Sequence, residues 1–250
     1  MRVRGYAPGT PCWAELVSPD PARAERFYGD LFGWSRNDDG HFTLGGRAAA
    51  GLRAGRPDRN AAWMISISTD DPAGTADAVV RSGGAVRVAP ASVRDLGTAA
   101  VLADPGGALF GTWLRSRFVG AQVSFEPGAI CWYELATHDL DRTGAFYKEV
   151  FGWHTVEADS EGQPYFELHH HNDTVGGLVP IDGRFPPGVP DHWTVCFMVD
   201  SAAAACERAT ELGGSVARGV EPASAGFYAR LADPTGGHFA VIEFTEDWML

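Results

Sequence analysis

The sequence predicts an α+β fold built from four similar modules in two tandem halves. The first observation is an internal repeat, because residues 12–16 (CWAEL) return as residues 131–135 (CWYEL), and the Phe-Gly-Trp motif that ends at Trp34 returns at Trp153. Both motifs recur after 119 positions. The second observation is that each half alternates short β-rich runs with single helical stretches. A repeat of this length indicates a duplicated domain, since solenoid units usually span roughly 20 to 50 residues.

The first half contains two modules in succession. Residues 12–17 predict a strand, and Pro19-Asp20-Pro21 starts a helix that Gly33 ends. The remaining predictions for this half are strands at 41–44, 48–52 and 63–69, a helix from Asp71-Pro72 to Gly83-Gly84, and strands near 86, at 99–102 and at 109–114.

The second half repeats this order. It predicts strands at 131–137, 165–170, 175–179, 193–200, 228–231 and 238–244, with helices at 139–150 and before Gly213-Gly214. The sequence Leu-Ala-Asp-Pro precedes the last strand of both halves, at 102–105 and at 231–234. We therefore predict a first domain at 1–118, a linker at 119–127 and a second domain at 128–250.

Composition restricts the classes of partner. A hydrophobic content of 45% in 250 residues can supply one large domain or two domains that each have a core of their own. The net charge of −12 repels phosphate backbones and anionic lipid surfaces, so we expect no nucleic acid and no membrane partner. The N-terminus lacks a signal-peptide pattern, which predicts a cytoplasmic protein. The four cysteines form no CxxC pair and are interpreted as buried thiols.

These modules resemble the vicinal oxygen chelate superfamily, which includes glyoxalases, extradiol dioxygenases and bleomycin resistance proteins. The motifs that carry the resemblance are an Asp followed seven positions later by Phe-Tyr, at Asp20 and Asp139, and an Asp-Pro-x-Gly turn before the last strand of each half. The Cys-Trp-x-Glu-Leu opening and the duplication are more narrowly similar to a mycobacterial culture-filtrate antigen group and to hydroxylase-like proteins of actinobacterial antibiotic clusters.

The resemblance implies four βαβββ modules in two tandem glyoxalase-like domains, with curved mixed sheets that form cup-shaped clefts and helices outside them. It also implies a divalent metal in the cup. The positions that match the ligands of the superfamily carry Trp13, Met64 and Gly111 in the first half, and Trp132, Thr194 and Ala240 in the second. Because these side chains cannot replace three His or carboxylate ligands, we expect no metal and no other cofactor.

Strand alternation assigns the side chains that face the cups. Glu15 and Glu134 share the face of the two tryptophans, whereas Cys12, Ala14 and Leu16 are expected to face the helix. A carboxylate among indoles has its charge disfavoured by burial, which suits a general acid or base. The predicted catalytic residues are Glu15, Glu134 and His238. The predicted ligand-binding residues are Trp13, Met64, Ser66, Trp113, Trp132, His192 and Thr194.

Three functions remain open. The first is metal-independent binding of a hydrophobic, planar small molecule, such as a secondary metabolite or a toxic compound, for resistance or for delivery to a biosynthetic oxygenase. The second is a metal-independent enzyme, lyase-like or hydroxylase-like, that acts on a polyketide-like or aromatic metabolite with Glu15 or Glu134 as acid or base. A metal-dependent glyoxalase or dioxygenase ranks last. The sequence is compatible with a monomer and with a homodimer, and it leaves open whether one cup or both are used.

Overall fold

The structure is a computed structural model that describes residues 1–158 and 164–245. Within these ranges each half contains eight strands and two helices. The first half runs β1 (Pro11–Ser18), α1 (Pro21–Phe32), β2 (Ser35–Arg36), β3 (His41–Leu44), β4 (Arg47–Ala54), β5 (Ala62–Ser68), α2 (Pro72–Arg81), β6 (Ala85–Val93), β7 (Gly97–Ala103) and β8 (Leu109–Arg115). The second half runs β9 (Ile130–Thr137), α3 (Leu140–Phe151), β10 (His154–Ala158), β11 (Tyr165–His170), β12 (Asp173–Pro180), β13 (His192–Met198), α4 (Ala202–Glu211), β14 (Ser215–Ala223), β15 (Gly226–Ala232) and β16 (His238–Phe244).

Each half forms one mixed sheet of eight strands. The strand order is β2-β3-β4-β1-β5-β8-β7-β6 in the first sheet and β10-β11-β12-β9-β13-β16-β15-β14 in the second. Two βαβββ modules therefore meet where β1 pairs antiparallel with β5, and where β9 pairs antiparallel with β13. The sheets are open, with edge strands at both ends. The predicted α+β fold of four modules is confirmed.

Side-chain caps fix the starts of the four helices. The carboxylates of Asp20, Asp71 and Asp139 accept backbone N–H bonds three residues on, at 3.0, 2.9 and 3.0 Å, and Ser201 caps α4 in the same way. The predicted Gly33 adopts the left-handed conformation that ends α1, with φ 71°. The helices reach at most 12 residues, and none in the described ranges has the length and apolar character needed to cross a membrane.

A β-bulge in the first strand of each half changes the predicted direction of one side chain. The register shifts between Pro11 and Trp13, and again opposite Ile130 and Trp132. The extra residues are Cys12 and Cys131, and both lie in the cup-side clusters. The thiol of Cys12 donates to the carbonyl oxygen of Ser66 at 3.4 Å. The expectation that Cys12 faces the helix is therefore wrong, whereas Ala14 and Leu16 do pack on the helix side.

The two halves share their hydrophobic cores. One core joins the first module to the fourth, because Phe27 of α1 packs against Phe239 of β16 with ring centroids 6.2 Å apart. The other joins the second module to the third, because Phe110 of β8 packs against Phe146 of α3 at the same distance. The helices lie on the convex faces of the sheets, where the halves meet. A separate core for each half, which the composition allowed, is not what the chain forms.

Candidate functional site

The concave face of each sheet is built by the three strands at its centre. In the first half Trp13 on β1 lies opposite Ser66 on β5, and Ser66 lies beside Gly111 on β8. In the second half Trp132 on β9 lies opposite Cys196 on β13, and Cys196 lies beside Ala240 on β16. The centres of the two cups are thus formed by equivalent positions on equivalent strands.

The first cup is filled by its own chain. The ring of Phe118, which follows β8, lies 4.8 Å from the Trp13 ring and 4.4 Å from the His41 ring. The indole N–H of Trp113 donates to the carbonyl oxygen of Phe118 at 2.9 Å. Two of the predicted ligand-binding side chains, Trp13 and Trp113, are therefore packed around Phe118 and are buried.

The other residues predicted for the first cup are Glu15, Met64 and Ser66. Glu15 forms an ion pair with the Nε atom of Arg53 at 2.9 Å, where the arginine side chain is 55% exposed. Met64 lies opposite Glu15 in the register, and Ser66 is buried with its carbonyl oxygen bonded to Cys12. Glu15 is thus held at a solvated rim by a charged partner and is not isolated among indoles.

The second cup contains a cavity of about 280 Å³ among the described residues. Its walls carry several apolar groups and five aromatic side chains, which are those of Trp132, Tyr165, Phe185, Tyr228 and Phe244. The side chains that define it are Trp132, Tyr165, Phe185, Cys196, Tyr228 and Ile242. A partly enclosed aromatic wall with a few polar groups is typical of sites for small molecules.

A hydrogen bond between two aromatic residues shapes one side of the cavity. The indole N–H of Trp132 donates to the hydroxyl oxygen of Tyr165 at 2.8 Å. Gly177 makes this approach possible, because a Cβ atom there would collide with the Tyr165 hydroxyl oxygen and lie 3.2 Å from Trp132 Nε1. Burial, followed by the charge of Glu134, raises the pKa of Tyr165. The hydroxyl group therefore stays protonated.

The polar centre of the cavity is an ion pair between Glu134 and Arg230. Arg230 Nη2 lies 2.5 Å from Glu134 Oε1, with side chains only 18% and 11% exposed. Arg230 Nε donates to the hydroxyl oxygen of Tyr228 at 3.1 Å, and the guanidinium lies 4.9 Å from the centre of the Phe185 ring. The carboxylate of Glu134 is therefore buried, as the sequence predicted, but a guanidinium that stays charged at all relevant pH values compensates it.

Three other residues predicted for the second cup do not line the cavity. Thr194 is buried opposite Glu134 in the register. His192 Nδ1 donates to the carbonyl oxygen of Pro190 at 2.8 Å, and burial is the main cause that lowers the pKa of His192. His238 is exposed at the start of β16, opposite Ala232, and does not line the cavity.

The cavity residues that were missed from the sequence include Tyr165, Phe185, Tyr228 and Arg230. A signal for two of them was present, because the predicted strand at 228–231 alternates and places Tyr228 and Arg230 on one face. Phe185 lies in an irregular segment, 181–191, for which no periodicity exists. Glu134 and Arg230 are 96 positions apart, so no local pattern connects them.

The residues of the second cup do not fit the metal that the superfamily resemblance implies. The row across the cup offers an indole, a thiol and a methyl group, from Trp132, Cys196 and Ala240. Burial raises the pKa of the Cys196 thiol, which disfavours the thiolate that binds metals. Within residues 1–158 and 164–245, no group of three or more His, Cys, Asp or Glu side chains is arranged to hold a metal ion.

Comparison with known proteins agrees with this architecture. The family model described as the glyoxalase-like domain matches the chain twice, at residues 13–112 and 132–242. The Mycobacterium tuberculosis (strain CDC 1551 / Oshkosh) protein named "Putative glyoxylase CFP32" is 36% identical over 257 residues, which cover 95% of this chain and 96% of that protein. The anthracycline biosynthesis protein DauV of Streptomyces sp. (strain C5) is 33% identical over 264 residues, with 96% and 95% covered.

A solved structure shares the fold at much lower identity. The Mn(II)-bound glyoxalase from Novosphingobium aromaticivorans superposes with a TM-score of 0.65 and 16% identity, covering 95% of this chain and 83% of that one. Both halves match one family model, and relatives above 30% identity extend over nearly the whole length. This chain therefore belongs to the glyoxalase-like domain family of the vicinal oxygen chelate superfamily and carries the domain twice.

Proposed function

We propose that the second cup binds a hydrophobic, planar small molecule without a metal ion, and that the protein sequesters this molecule or delivers it to a biosynthetic enzyme. The observation that carries the proposal is the contrast between the cups. Phe118 fills the first, whereas the second keeps a cavity of about 280 Å³ among the described residues, walled by Trp132, Tyr165 and Tyr228. Aromatic walls bind planar rings through stacking and burial of apolar area.

The class of ligand is supported by two further points. The residues at the bottom of the cup lack the donors that a divalent metal needs, so binding has to come from the cavity walls. The relative DauV is named for anthracycline biosynthesis, and anthracyclines contain fused planar rings. We therefore propose a polycyclic secondary metabolite, or a toxic compound of similar shape, as the ligand.

The test is a calorimetric titration with planar polycyclic quinones, in buffer with EDTA and in buffer with Mn²⁺. We expect saturable binding of equal affinity in both buffers. Ala223→Trp should fill the mouth of the cavity and weaken binding at least about tenfold, since even one lost stacking contact and its buried area have this magnitude. Val93→Trp, at the equivalent last residue of β6, is the matched control and should bind like the wild type.

Either of two results would contradict the proposal. Binding that occurs only with Mn²⁺ would mean that the cup assembles a metal site with its ligand. If Val93→Trp abolishes binding and Ala223→Trp leaves it intact, the ligand binds in the first cup.

A second candidate function is metal-free catalysis, favoured by the burial of Glu134 at the cavity. A glutamate in this position can exchange a proton with a bound polyketide-like metabolite. We rank this function below binding because the carboxylate is already engaged in an ion pair with Arg230. Turnover of a bound quinone that Glu134→Gln abolishes, at unchanged affinity, would reverse this order.

A further inference from the structure

We infer that the second cup selects a neutral ligand in which a hydroxyl group lies next to a carbonyl group, and that Glu134 and Arg230 bind these two groups together. This inference rests on the proposed binding function and specifies the chemical class of its ligand. It follows from the atoms of the ion pair that the protein itself leaves without partners.

Arg230 has hydrogen-bond donors to spare. A guanidinium carries five N–H groups. Arg230 uses Nε for Tyr228 and Nη2 for Glu134, whereas Nη1 has no acceptor among the described residues. Nη1 is also not one of the polar atoms that are sealed from solvent without a partner. Because Arg230 lines the cavity, its Nη1 donors are available to an oxygen atom of the ligand.

Glu134 has an acceptor to spare in the same way. Its Oε1 atom receives the bond from Arg230, and no described residue donates to Oε2. Oε2 is likewise absent from the sealed polar atoms, and Glu134 lines the cavity. A free acceptor and a free donor therefore lie on two groups in direct contact. A ligand with a hydroxyl beside a carbonyl presents the matching donor and acceptor on neighbouring atoms.

Charge balance favours a neutral ligand over a carboxylate. The ion pair has no net charge, so a ligand anion gains attraction from Arg230 but is repelled at a similar distance by Glu134. A second arginine of the lining, Arg218, is also paired, with Glu221 at 2.8 Å. The cup thus offers directed hydrogen bonds without a surplus of positive charge.

The first half contains a natural comparison. Glu15 and Arg53 form a similar ion pair, but the arginine is 55% exposed and Phe118 occupies that cup. Water competes for the free atoms of an exposed pair, so such a pair contributes little selectivity. Arg53→Gln is therefore a control that removes a guanidinium of the same kind outside the proposed site.

The experiment titrates four naphthalene probes of nearly equal size into the purified protein by calorimetry. They are 2-(hydroxyacetyl)naphthalene, its methyl ether, 2-acetonaphthone and 2-naphthylacetate, and the first of these is an α-hydroxyketone whose hydroxyl group can rotate away from its own carbonyl group. The hydroxyketone should bind about 10- to 100-fold more tightly than the methyl ether, as expected for loss of a hydrogen bond to a buried charged group. The carboxylate should bind more weakly than the hydroxyketone.

Glu134→Gln tests the charge balance with a side chain of the same shape. It leaves Arg230 without its counter-charge, so the order of ligands should reverse and the carboxylate should gain at least about tenfold relative to the hydroxyketone. Arg53→Gln should leave all four affinities unchanged. Damage to the fold would instead weaken the binding of all four probes alike. The comparison of the four probes on the wild-type protein tests the inference independently of this variant.

The possible outcomes distinguish failure of this inference from failure of the proposed binding function. Equal affinity of the wild type for the hydroxyketone, the ether and the plain ketone would overturn the inference and leave the proposed binding function standing. A preference for the carboxylate would overturn it as well. Absence of binding for all four probes and for larger planar quinones would overturn both.

Discussion

At the scale of single residues, Asp104 couples the stability of the protein to pH. It is 3% exposed, its Oδ1 atom accepts backbone N–H bonds from Gly106 and Ala108, and its Oδ2 atom accepts the hydroxyl of Tyr147 at 3.4 Å. Burial, partly opposed by the backbone bond from Ala108, raises the pKa of Asp104 from 3.8 to about 6. The folded state therefore holds this proton more tightly than the unfolded chain.

We predict that Asp104→Asn removes part of the pH dependence of unfolding. The stability that protonated Asp104 contributes is complete below pH 3.8 and is lost as the pH rises through about 6. A shift of this size corresponds to about 3 kcal/mol. The free energy of unfolding of the variant relative to the wild type should thus rise between pH 4 and pH 7, measured by urea titration at each pH. A difference that stays constant over this range would contradict the prediction.

The sequence located side chains of the site only where strand alternation applies. Trp132 and Glu134 were assigned to the cup correctly because β9 is regular after residue 131. Cys12 was misplaced because a bulge reverses the alternation locally, and no residue type marks a bulge of this kind. Arg230 was missed because the pairing with Glu134 arises only when β9 and β15 are brought together by β13 and β16.

At the scale of elements, the connection before β13 distinguishes the second cup from the first. Seven residues, 55–61, join β4 to β5, whereas eleven residues, 181–191, join β12 to β13. The longer segment carries Phe185 to the cavity, where its ring lies 4.9 Å from the Arg230 guanidinium. We interpret this segment as the part of the second half that completes the cavity wall.

We predict that Phe185→Ala weakens ligand binding with little effect on stability. The variant loses a cation–π contact that orients Arg230 and one face of the cavity, which should reduce affinity about 2- to 30-fold. Phe185 is only half-buried, so the midpoint of thermal unfolding should change little. The control is Phe227→Ala, because Phe227 lies on β15 next to Tyr228, is 42% exposed and does not line the cavity. This variant should bind the ligand as the wild type does. Equal affinities of Phe185→Ala and the wild type would contradict the prediction.

The sequence predicted most elements but not all of them. The strands with strong apolar alternation and the four capped helices were found within a few residues of their ends. Three edge strands, β2, β10 and β14, were missed because their side chains are mostly exposed and carry no clear apolar pattern. The filling of the first cup by Phe118 was missed for another reason, since Phe118 follows β8 in a segment without regular structure.

At the scale of the whole molecule, the duplication produces two sheets, and each of the two main hydrophobic cores is built by both halves. We propose residues 1–118 and 128–250 as tandem domains joined by 119–127. Each nevertheless buries its helices against the other, as in the contacts of Phe27 with Phe239 and of Phe110 with Phe146. Two polar bridges cross the same interface, from Tyr28 to Asp233 at 2.9 Å and from Tyr147 to Asp104 at 3.4 Å. Neither half retains a complete core when it is separated from the other.

This arrangement predicts that the chain unfolds as one unit. The Tyr28 hydroxyl donates to Asp233 and accepts the indole N–H of Trp63 at 2.9 Å, all in a buried environment. Tyr28→Phe leaves the carboxylate oxygen of Asp233 and the indole N–H of Trp63 without this partner. Each loss should lower the free energy of unfolding by about 1–3 kcal/mol, and by less where the interface relaxes. Because the first half supplies Tyr28 and the second supplies Asp233, the transitions seen by tryptophan fluorescence and by far-ultraviolet circular dichroism should coincide and shift together. Two separate transitions, of which the substitution moves only one, would show that the halves fold independently in spite of their shared cores.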